Sequence, residues 1–122
     1  MFKALVLVFG LAMLPMAAEA QELTIKGIGS RQCKEWTAVA EGGDAGSKAA
    51  YLHWLQGYLS GMGAEAMATT DTPDVLKALD DKASWTLMHS RCRADPEQEI
   101  FVAATQVFDV MKADTLAKVK HR

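Results

Sequence analysis

The chain holds two cysteines, Cys33 and Cys92, and this pair constrains the fold more than any other feature. Joined, they would close a loop of about 60 residues, a constraint worth roughly 4 kcal/mol in the chain-entropy model. That is comparable to the whole stability of a small domain. Whether they join depends on the compartment, because disulfides persist in oxidising surroundings.

The N-terminus speaks to the compartment. Met1-Phe2-Lys3 opens the chain, an apolar run from Ala4 to Met16 follows, and Ala18-Glu19-Ala20 closes it. A basic start, an apolar run of this length and a small-x-small site form the pattern of a secretory leader. Cleavage is expected after Ala20, giving a signal peptide over 1–20 and an exported product. The run is short for a membrane span, so no membrane association is expected after cleavage. An even cysteine count in an exported chain then reads as one disulfide, Cys33–Cys92. The competing reading is a reactive thiol at Cys92, which lies between Arg91 and Arg93 with His89 one turn back, since nearby cations favour thiolate.

The part beyond residue 20 is about 100 residues, one small domain. Lys3 and Glu19 fall in the leader, so 12 of the chain's 13 basic and 14 of its 15 acidic side chains remain and the net charge stays at −2. No basic patch with interleaved aromatics is present, which argues against nucleic acid as a partner.

Residues 21–29 read as a loose lead-in. A helical domain over 30–112 and a basic, frayed tail over 113–122 follow. Ser30 is placed as N-cap of a first helix, roughly 31–41, with Cys33, Trp36, Val39 and Ala40 at helical spacing. Residues 41–46, EGGDAG, are a loop. Ser47 is placed as cap of a second helix, roughly 48–68, on which Tyr51, Leu55, Tyr58 and Met62 form one stripe widened by Leu52 and Leu59. A helix apolar nearly all round is buried or in a membrane, so this one is read as central to a bundle. Thr72 and Pro73 mark a third start; whether 73–93 is one helix or two stays open, with Val75, Leu76 and Leu79 on one apolar face and Trp85, Met88 and Cys92 on another. Asp95-Pro96-Glu97-Gln98 marks a restart, and the last helix runs from about 96 to 112, with an extension beyond left open, along Ile100, Ala104, Val107 and Met111. The expected fold class is all-α, a small bundle of four or five helices stapled by one disulfide.

One stretch resists this pattern. YLHWLQGYLSGM, residues 51–62, carries Gly57 and Gly61, although glycine in a helix interior costs about 0.5–1 kcal/mol relative to alanine. Two uses would offset that cost. The glycines could let a neighbouring helix approach closely, or floor a groove for a partner's side chain. The first use predicts that both face a neighbouring helix. The second marks Trp54, Gly57, Tyr58, Gly61 and Met62 as candidate partner-binding residues.

The chain carries no G-x-S-x-G elbow, phosphate loop or H-E-x-x-H motif. His53, His89 and His121 are not at metal-ligand spacing. Asp80-Asp81 and Glu97-x-Glu99 sit at expected helix starts or turns, where carboxylates favour the helix dipole. No catalytic residue, metal or cofactor is expected, and the chain is read as a non-enzyme; an enzyme built on Cys92 or His89 is the weaker option.

The segments Cys33-Lys34-Glu35-Trp36, Trp54 to Gly61 (W-L-x-G-Y-x-x-G, with one residue between Leu55 and Gly57) and Cys92-Arg93-Ala94-Asp95-Pro96 come in an order that resembles the HdeA/HdeB-like periplasmic proteins, over roughly residues 30–112. The pattern is also similar to that of Tai-type type VI secretion immunity proteins. The first resemblance implies a small disulfide-bonded helical fold and an acid-stress chaperone. Such a chaperone is inactive at neutral pH and exposes apolar surface to unfolding clients when acid loosens its dimer or fold. The second implies an immunity protein that neutralises a toxin by direct binding. The partners expected are therefore proteins, unfolded clients or a toxin, with a homodimer left open.

Overall fold

The computed structural model describes residues 23–77 and 80–121. The expected leader over 1–20 and Leu79 lie outside the described residues. The architecture is all-α: a 3-10 turn at Gly27–Ser30, then α1 (Cys33–Gly42), α2 (Ala45–Thr70), α3 (Asp81–Ala94) and α4 (Ile100–Lys120). No strand forms among the described residues; a single bridge pairs Gln32 with Glu99.

Cys33 and Cys92 form the disulfide, with Cα atoms 4.7 Å apart and both residues fully buried. It ties the start of α1 to the last turn of α3, as expected, and removes the thiol that the competing reading of Cys92 required. Trp36, one turn on from Cys33, is also fully buried. It stacks at a tilt on Trp85 of α3 (4.7 Å between ring centres) and meets Tyr51 of α2 edge-on (5.6 Å). Leu55, Leu59, Met88, Ile100, Ala104, Val107 and Met111 lie in the same core. The apolar spacing in α1, α3 and α4 thus identified the inward faces.

The helix starts differ from the sequence reading, for identifiable reasons. Ser30 does not cap α1. Its hydroxyl bonds back to the Gly27 carbonyl, and residues 27–30, read as part of a loose lead-in, form a turn that buries Gly29. The first amides of α1 are satisfied instead by the loop before α4: Cys33 N–H donates to the Gln98 carbonyl (2.8 Å) and Lys34 N–H to the Pro96 carbonyl (2.9 Å). In return Ile100 N–H donates to the Arg31 carbonyl (2.8 Å). This exchange explains why α4 begins at Ile100 and not at Pro96. A helix from 96 would turn the Pro96 carbonyl onto the Ile100 amide, and both groups are committed to α1.

Asp44, not Ser47, caps α2; its carboxylate accepts from Ser47 N–H at 2.7 Å. That bond holds the Asp44 carboxyl below its ordinary pKa. The group therefore adds stability above the usual carboxylate range and loses it as pH falls through the depressed value. Asp44→Ala should lower the melting temperature most at neutral pH and less in acid, where the carboxyl loses its charge but keeps an acceptor oxygen for Ser47 N–H. Asp44→Asn, which keeps the acceptor oxygen but not the charge, should fall between wild type and Asp44→Ala at neutral pH and show no pH dependence from this position. A wild-type/Asp44→Ala difference independent of pH would show that the charge contributes nothing.

Thr72 and Pro73 start no α-helix. Asp71 takes the left-handed conformation (φ 53°) and ends α2, with Thr72 N–H reaching back to the Ala66 carbonyl, an arrangement of the Schellman kind. The chain makes only a turn at 75–77, burying Val75. One helix, α3, then begins at Asp81, capped by Asp80 through a 2.6 Å bond from Ala83 N–H. Among the described residues of 73–93 there is a turn at 75–77 and a single helix, α3. At the other end the extension beyond 112 is realised: α4 continues to Lys120, so most of the segment read as a frayed tail is helical, with Lys118 paired to Asp114 one turn back (2.8 Å).

Candidate functional site

The longest helix, α2, has 26 residues, about 39 Å at 1.5 Å per residue. Tyr51, Leu55, Leu59 and Gly63 face the core. The buried stripe is therefore centred on Leu55 and Leu59, and Tyr58 and Met62 lie at its half-buried edge. Phe108 of α4 and Leu76 lie against Gly63, and the Tyr58 hydroxyl meets the Thr105 hydroxyl of α4 at 3.0 Å.

Gly57 and Gly61 point the other way. Both are exposed, and a Cβ built on either would meet nothing within 4 Å. The tight helix crossing expected there is overturned; the glycines that a Cβ would crowd are Gly29 and Gly43, and Gly63 is buried at ordinary contact distance from Leu76 and Phe108. Ala50, Gly57, Gly61, Ala64 and Ala68 recur at spacings of seven, four, three and four, hence on one face, and all are exposed. This explains how a helix apolar nearly all round can lie on the surface: its outward residues are counted as apolar but carry almost no side chain to hide. From residue 49 to residue 64 the helix has no Asp, Glu, Lys or Arg.

The stripe has a wall along one side. Trp54 and Tyr58 stack on each other, centroids 5.1 Å apart and planes 19° from parallel. They are held from beneath: Trp54 covers Gly29, and Thr105 fixes the Tyr58 hydroxyl. Of the five candidate residues, Gly57 and Gly61 form the open floor and Trp54 and Tyr58 the half-buried wall, while Met62 packs partly buried against the core, apart from the floor. Ala64 was legible beside the glycines as part of a small-residue groove, whereas Ala50 and Ala68 were missed as part of the same face, although their spacing from the glycines was the available signal.

These placements separate the glycines by experiment. Gly57→Ala and Gly61→Ala should each raise the melting temperature, by up to about 1 kcal/mol of helix propensity. Gly29→Ala should lower it, because the new Cβ would fall 2.5 Å from a Trp54 ring carbon and 2.9 Å from an Ile25 methyl; overpacking of this kind costs about 1–3 kcal/mol. Destabilisation by Gly57→Ala would mean that the α2 face is covered.

A second cluster lies across α1 and α3. Arg93 donates to Glu41 at 3.2 Å, and His89 Nε2 lies 3.4 Å from the same oxygen. Beside them a cleft of about 220 Å³ is lined by Lys34, Thr37, Glu41, Arg93 and Pro96. Solvent-exposed pairs of this kind contribute about 0–1 kcal/mol; they steady the α1–α3 seam next to the disulfide. Arg31, just before α1, donates to the Tyr51 hydroxyl at 3.2 Å, which raises its already high pKa. Among the described residues no group of three or more His, Cys, Asp or Glu is placed to hold a metal ion, and no helix is long and apolar enough to cross a membrane.

Comparison with protein-family models, curated proteins and solved structures finds no match to this chain.

Proposed function

We propose that this protein is a non-enzymatic, periplasmic protein-binding module that acts in the manner of an acid-stress chaperone of the HdeA/HdeB-like kind. The observation that carries the binding reading is the outward face of α2. Two glycines with open space above them, uncharged neighbours and a stacked Trp54–Tyr58 wall give a surface from which a partner's side chains displace water without breaking ion pairs. The order of the cysteine and tryptophan motifs supports the family. Charge supports the acid mode: near pH 2 the carboxylates are neutral while Lys, Arg and His stay positive. The chain without its leader then moves from −2 to about +15, and self-repulsion of that size loosens a compact state.

The test is light scattering of an acid-denatured client, with and without the protein, at pH 3 and pH 7. Suppression of aggregation at pH 3, accompanied by a rise in apolar-dye binding by the protein alone, is the expected result. Dye binding without client protection would reduce the acid response to ordinary unfolding and sink the chaperone reading.

One feature favours a second reading, an immunity protein that neutralises a toxin. The α2 face is built on a continuous helix and needs no opening, which suits a folded partner at neutral pH. Stoichiometric inhibition of a toxin at pH 7, unaffected by acid exposure, would select it over the chaperone.

A further inference from the structure

We draw no further inference here: the strongest candidate outside the α2 face, the cleft between α1 and α3 lined by Lys34, Thr37, Glu41, Arg93 and Pro96, carries nothing, because its two cations already face Glu97 and Glu41 and its remaining unpartnered buried atom, the Thr37 hydroxyl oxygen, does not specify a ligand class.

Discussion

Cys92→Ser is expected to lower stability by about 2–5 kcal/mol, the usual range for removing a native disulfide from a small domain. At about 4–8 °C per kcal/mol for a domain near this size, the melting temperature should fall by about eight degrees or more. The bond joins α1 to α3 across 59 residues of chain, so its loss gives the unfolded ensemble back a long loop. It also leaves Cys33, fully buried, opposite a serine hydroxyl in an apolar site. Chemical denaturation of wild type and variant gives the difference directly. Thiol titration of the denatured, unreduced wild type should find no free cysteine; two reactive thiols per chain would contradict the staple.

Trp36→Ala is expected to be of similar size, about 3–5 kcal/mol for a buried aromatic truncated to alanine. Trp36 is fully buried and is the side chain on which Trp85 of α3 and Tyr51 of α2 converge, so its removal opens a cavity where three helices meet. Its indole N–H has no hydrogen-bond partner. Trp36→Phe, which deletes that unsatisfied donor and keeps much of the apolar bulk, should therefore be far milder than Trp36→Ala. Equal losses for both would show that the indole N–H is satisfied in solution. Because Cys33 and Trp36 are one turn apart on α1, the Cys92→Ser and Trp36→Ala effects should not add.

The fold was legible where side-chain chemistry is periodic or specific. Cys33 with Cys92, Trp36, the Trp85-Met88-Cys92 face and the Ile100–Met111 line each bury area or form a bond that a pattern of residue types announces. Helix starts were less legible, because they depend on where orphan amides find acceptors. Ser30 looks like a cap, yet the amides of α1 use carbonyls some 60 residues away in sequence. Pro96 looks like a first helical residue, yet its carbonyl is one of those acceptors. Thr72-Pro73 has the residues of a helix start but follows a Schellman-like end that turns the chain into a loop. The α2 face was half legible. The spacing of Gly57 and Gly61 showed that they share a face, and the local sequence could not say which face. That was decided by Leu55, Leu59 and Gly63, which hold more contact with the rest of the bundle.

The same face decides the functional account. Replacing Gly57 and Gly61 together with glutamine raises helix propensity, and the new side chains enter open space. Glutamine is neutral at every pH, so the change is one of shape alone: two side chains now stand on the bare floor beside Trp54 and Tyr58. The decisive measurement is client light scattering at pH 3 with this double variant beside wild type, each first shown by thermal melting at pH 7 to be folded. The outward face of α2 as the binding surface predicts a variant at least as stable as wild type that protects the client markedly less. A variant that melts normally and protects as fully as wild type would contradict it.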